Sequence, residues 1–171
     1  MKSHEVKFSD TSRLTYRMFI YDTAPDRGKF SGDSYLLIEF VGTHGIGSEG
    51  NGDSLFMETI INSALNVWFV QGLVLDLSEL SYEWGDSLAD VPLVGKQMFG
   101  NRFPTAVVAS EKCRPALESL SPFFKGAFER GGQEQWFFED VSSALQYVKE
   151  RAEALKPVEE QSKKKKYFWR W

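Results

Sequence analysis

Few residues of this 171-residue chain have the types and spacing that chemistry requires. One group is Gly45-Ile46-Gly47-Ser48-Glu49-Gly50, a literal G-x-G-x-x-G. After a strand and before a helix, such glycines let backbone N–H groups approach a pyrophosphate. The surroundings argue for a plain loop instead. Asn51, Gly52 and Asp53 intervene before the expected helix, and Glu49 and Asp53 place negative charge where phosphate would sit. The acid expected about 20 residues on has no counterpart, since Asp76 lies 26 residues beyond Gly50. Gly45, Gly47 and Gly50 therefore stand as a candidate loop for a small anionic or lipidic ligand, with no cofactor indicated.

Cys113 falls between a strand end and a helix start, where the helix dipole can lower a thiol pKa and make it nucleophilic. The only histidines, His4 and His44, are both far from it in sequence. A structural cysteine is the default reading, so no catalytic residue is assigned. Two histidines and one cysteine also do not furnish the usual nitrogen and sulfur ligands of a metal site.

Tyr82, Glu83 and Trp84 are the strongest binding candidates, because large aromatics on a loop are costly unless they pack or bind. Trp84 folded back as a lid over the core is the competing reading. The end of the chain, KKKKYFWRW, carries +5; with a net charge of −4, this leaves −9 for the rest. An acidic body does not attract nucleic acid, whereas the tail suits an anionic surface such as a membrane or an acidic protein. A loose solubilising end, or docking of the tail on the acidic body, accounts for the same residues.

The elements that must position these groups follow from hydrophobic periodicity. Residues 13–21 and 35–41 read as two strands, separated by a turn containing Pro25, Gly28 and Gly32. GTHGIGSEGNGD, residues 42–53, has five glycines in twelve positions and reads as a loop. Asp53 or Ser54 is expected to cap the helix that follows, with Leu55, Phe56, Ile60, Ile61, Ala64 and Leu65 on its apolar face. Gly72-Leu73-Val74-Leu75, ending on Asp76, has the length and composition of a strand buried on both faces. Asp86 to Phe99 is expected to hold a helix interrupted or started late at Pro92 and ended by Gly100, followed by a strand at 104–110 and a helix from Pro115 to about Phe124. A brief strand at 134–138 and a helix capped by Asp140 and stopped by Pro157 complete the order. The sum is an α/β domain with a mixed, mostly parallel sheet, an N-terminal antiparallel hairpin and about four helices. Open sheets of this kind place ligands and partners at the carboxyl ends of their strands.

Composition, 42% hydrophobic and 26% charged, is that of an ordinary globular domain. Residues 1–12 read as an N-terminal extension, 13–156 as the domain and 157–171 as a charged tail. No stretch has the apolar length of a membrane span and the first residues lack a signal-peptide core, so a cytoplasmic location is expected.

The run GLVLDLSELSYEWGDSLADV, the closing WFFEDVSSALQYVKE and the order of elements resemble the STAS domain family. Its members include anti-sigma-factor antagonists, stressosome subunits and the cytoplasmic ends of sulfate transporters. In that family the central strand ends in Asp-Leu-Ser, matched here by Asp76-Leu77-Ser78, and an Asp-Ser-Ser-Gly loop opens the next helix. Either Trp84-Gly85-Asp86-Ser87 or Asp86-Ser87-Leu88-Ala89 takes the place of that loop. The resemblance implies a non-catalytic, regulatory protein-binding domain. Its partner face would include Ser78, Tyr82, Glu83, Trp84, Asp86 and Ser87, with Ser87 as phosphoacceptor. The readings drawn from the residues beside it are a carrier of a small anionic or lipidic ligand on the Gly42–Asp53 loop and the helix end near Asp53, and an acidic inhibitor that masks a basic enzyme.

Overall fold

The computed structural model describes residues 12–22, 34–120 and 137–156. Residues 1–11 of the expected N-terminal extension, the hairpin turn, the helix beyond Leu120, the strand residues 134–136, the tail and His4 lie outside them. The elements run β1 (Thr15–Asp22), β2 (Ser34–Thr43), α1 (Asn51–Val67), β3 (Leu73–Asp76) and β4 (Leu80–Ser81). They continue with α2 (Val94–Phe99), β5 (Thr105–Val108), α3 (Arg114–Ser119), β6 (Phe137–Phe138) and α4 (Val141–Leu155). The protein is an α/β fold with a mixed six-stranded sheet in which β1 and β2 are antiparallel and the other pairings are parallel.

Strand order is β1-β2-β3-β5-β6, with β4 also on β2. β4 continues the line of β3 after a tight turn closed by the Leu80 N–H on the Leu77 carbonyl, and pairs Leu80 with Gly42 and Ser81 with Thr43. The chain thus uses the long β2 twice, first for β3 and then for β4, which carries the segment after Asp76 out to the end of the sheet.

Alternation along the strands divides the core into two layers. Leu36, Ile38, Phe40, Leu73, Leu75 and Val107 face α1, α2 and α3, meeting Met57, Ile61, Val94 and Leu117. Tyr35, Leu37, Val74, Ala106 and Val108 face α4 through Ala144, Val148 and Ala152. α4 lies close because Gly72 lacks a side chain: a Cβ there would stand 2.2 Å from Val148 Cγ1. Its first turn is held as the sequence predicts, with Asp140 accepting from the Ser143 N–H at 2.8 Å. That bond holds the Asp140 carboxyl below its ordinary pKa.

Three local expectations are corrected. Residues 42–53 are not one loop: β2 runs to Thr43, a 3-10 turn spans Gly47–Gly50, and α1 starts at Asn51 with Gly50 at its cap and no side-chain capping bond. Asp53 and Ser54 are buried inside the first turn rather than capping it, and Leu55, expected on the apolar face, is instead 60% exposed. The interruption expected at Pro92 is present: two 3-10 turns, Ser87–Ala89 and Val91–Leu93, precede α2, which starts only at Val94. Leu88, Val91 and Val94 are all buried there, so burial rather than helical propensity sets the path. Gly100 ends α2 with φ +89, as glycine allows.

Candidate functional site

The carboxyl ends of β2 and β4 bring the glycine loop and the Tyr82–Ser87 loop side by side. Beyond the strands the two continue to bond, the His44 N–H to the Ser81 carbonyl at 2.9 Å and the Gly47 N–H to the Trp84 carbonyl at 3.1 Å. Two stretches that the sequence offers as separate candidates therefore form one surface.

Beneath that surface lies a buried polar cluster centred on His44, which is only 2% exposed. Its Nδ1 is 2.8 Å from the Gly45 carbonyl and its Nε2 is 2.8 Å from Ser54 Oγ. A carbonyl only accepts, so Nδ1 carries the ring proton and Nε2 accepts from the Ser54 hydroxyl. Ser54 Oγ lies 3.1 Å from Ser87 Oγ, and with its own proton committed to the imidazole it accepts from Ser87. Burial pushes the His44 pKa down, with the Gly45 carbonyl and the charge of Asp53 opposing. The half-buried Ser87 hydroxyl thus ends a relay that begins on a neutral imidazole.

Asp53 fixes the other side of the loop. It accepts the Gly45 N–H at 2.8 Å and the Ser12 hydroxyl at 2.5 Å, and Ser12 in turn accepts the Leu14 N–H, so the entry to β1 is tied to the start of α1. Tyr82 packs edge-on against His44, ring centroids 5.2 Å apart, and donates its hydroxyl to the Gly85 carbonyl. Burial, with Asp86 adding to it, pushes the Tyr82 pKa up to about 12.

The expected partner-face residues separate by exposure. Glu83, Trp84 and Asp86 are on the surface, Trp84 with 67% of its area open. Tyr82 is not an exposed contact: it is 2% exposed and belongs to the frame. Ser78 caps the end of β3, its N–H on Asp76 Oδ1 at 3.0 Å and its carbonyl accepting from Ser110 Oγ at 2.6 Å. Ile46, 51% exposed in the turn beside Gly47, joins the surface without having been marked by the sequence. His44, Asp53 and Ser54 are the framing residues that the sequence misassigns, because their roles depend on contacts between distant segments.

The three motif glycines are explained by the chain's own packing. A Cβ on Gly50 would meet His44 Cε1 at 2.4 Å, one on Gly45 would meet the Glu49 backbone at 2.7 Å, and one on Gly47 would meet Trp84 Cζ3 at 2.7 Å. Gly47 also has φ +56, which glycine adopts without strain. Trp84 therefore neither lids the core nor stands free; one edge of its ring rests on Gly47 and the rest faces outward.

Cys113 lies outside this cluster. Its thiol is fully buried and donates to the Leu77 carbonyl at 3.2 Å, and burial pushes its pKa up, opposite to what a dipole-activated nucleophile requires. His44 makes its bonds to Gly45 and Ser54 instead. Among the described residues no group of His, Cys, Asp or Glu is arranged to hold a metal, and no helix is long and apolar enough to cross a membrane. Comparison of the chain with family models, curated proteins and solved structures found no match.

Proposed function

We propose that this chain is a non-catalytic, STAS-like regulatory domain that binds a protein partner through the joined loops at the carboxyl edge of its sheet. The observation that carries this reading is Trp84, a large aromatic 67% exposed yet held in one place by its contact with Gly47 and the backbone bond between the loops. A fixed, exposed tryptophan is the kind of anchor around which interfaces concentrate their energy. Ile46 extends its apolar area, while Glu83 and Asp86 favour a partner with basic groups. The Asp76-Leu77-Ser78 ending of the central strand and the order of elements support the family reading.

Ser87 is the regulatory position of this reading. Its hydroxyl is half-buried and polarised through Ser54 and His44. A phosphate there would break the bond to Ser54 and place two negative charges next to Asp86, repelling it and changing the face that the partner meets. The cell interior is the compartment in which such a regulatory exchange would operate.

The test is affinity capture from a lysate of the source cells, comparing the full chain with Trp84→Ala and Phe69→Ala. Phe69 is 70% exposed and precedes β3, at the opposite end of the strands. A protein retained by the wild type and by Phe69→Ala but reduced about tenfold or more with Trp84→Ala is expected, as for a hot-spot truncation. Equal capture by all three would refute the site.

A further inference from the structure

Between Lys29 and Lys96 the sequence contains no lysine or arginine. This stretch supplies both loops of the candidate site and the turns that follow them. Its acids Glu49, Glu79, Glu83, Asp86 and Asp90 are all exposed. Only Glu79 has a cationic partner among them in the described residues, Lys112 at 2.7 Å. The others leave a net negative field over this end of the molecule, and on α1 that field acts on Glu58, whose pKa burial and Asp90 together raise. Within the same loops Trp84 and Ile46 present apolar area.

An apolar centre with an acidic border selects a segment that is cationic and aromatic at once. Ammonium and guanidinium groups would meet Glu83 and Asp86, and a cation can also lie over the open face of the Trp84 ring. Residues 163–171, KKKKYFWRW, have that composition, with five cations, four aromatics and no acid.

The chain is long enough to bring them there. α4 starts just after β6, at the carboxyl edge of the sheet, and its 15 residues rise about 22 Å to the opposite edge. From Lys156 to the end of the chain the backbone can reach about 50 Å when extended. The tail can therefore return along the whole domain and lie across the loops.

We infer that residues 163–171 dock in cis on the face formed by Ile46, Glu83, Trp84 and Asp86, acting as an autoinhibitory strap that a partner must displace. The docking stands on charge, aromatic composition and reach, while its inhibitory role rests on the partner-binding reading above.

The two are separated by an experiment that needs no partner. The full chain carrying Trp171→Cys takes a nitroxide label at the new thiol, Cys113 being fully buried, and relaxation enhancement is read at the backbone amides. Broadening of residues 44–50 and 82–87 is expected at about 0.01 M salt, where screening extends over roughly 30 Å, with its loss near 1 M, where it shrinks to about 3 Å. The same loss is expected at low salt in Glu83→Lys/Asp86→Lys, whose thermal midpoint reports that the fold is kept. Broadening that is absent, that falls on the Val67–Phe99 end instead, or that fades on dilution, as contact with a second copy would, overturns the inference. Anionic vesicles that bind the tail without competition from the loops also overturn it. A partner captured through Trp84 in a chain that shows no broadening leaves the function standing and removes only the strap; broadening without a captured partner does the reverse.

Discussion

At the scale of single residues, the site rests on an imidazole that the fold keeps neutral. His44 is buried between the Gly45 carbonyl and the Ser54 hydroxyl, and both bonds are complete with one ring proton. Its folded pKa lies below that of the unfolded chain because burial disfavours the charged form. Below the unfolded value of about 6.5 the unfolded chain binds a proton that the folded one refuses, so stability falls as pH drops from there toward the folded pKa. Above that window the group contributes no slope. Urea unfolding of the wild type between pH 7 and pH 5 should therefore show a loss of up to about 1.4 kcal/mol per pH unit from this residue. The loss should be absent from His44→Gln, whose amide can still accept from the Ser54 hydroxyl but does not titrate in this range. An unchanged slope in the variant would mean that another group sets the pH response.

At the scale of elements, the clearest mechanical dependence is between the sheet and α4. Gly72 sits at the entry to β3, and the helix approaches so closely that Val148 occupies the space of an absent Cβ. Gly72→Ala should cost about 1–3 kcal/mol through overpacking, and Val148→Ala about 2 kcal/mol through lost burial and the cavity it leaves. Together they should cost at least about 1 kcal/mol less than the sum, because the second change makes room for the first. Denaturant midpoints of the two single variants and the double variant measure this, and strict additivity would show that the helix shifts rather than clashes. This dependence also marks what the sequence makes legible. The apolar spacing of α1 and α4 and the runs of β2, β3 and β5 declare themselves, since burial on one or two faces imposes a period. The start of α1 does not: five glycines in twelve residues suggest a loop, yet Asp53 and Ser54 turn inward to Gly45 and His44 and the helix begins at Asn51. Trp84 is conspicuous by type alone. That it rests on Gly47 depends on β4 pairing with β2, a long-range register that local sequence does not encode.

At the scale of the whole molecule, charge is divided so that the last nine residues and the rest of the chain oppose each other, +5 against −9. If the acidic face attracts both a basic partner and the tail, salt acts on two contacts at once. Raising ionic strength weakens partner attraction by screening, and also frees the face by weakening the strap. For the full chain these effects offset, so partner affinity should change little between about 0.01 M and 0.1 M salt, where the Debye length falls from about 30 Å to about 10 Å. Replacing Lys163, Lys164, Lys165 and Lys166 by Gln removes most of the tail's charge while leaving the described domain intact. That variant should bind its partner more tightly at the lowest salt, by about tenfold for each 1.4 kcal/mol of docking relieved, and should lose affinity steadily as salt rises. Isothermal titration with the captured partner distinguishes the two profiles. A full chain whose affinity falls as steeply as that of the glutamine variant would mean that the tail does not compete for this face, and would leave the acidic surface acting on the partner alone.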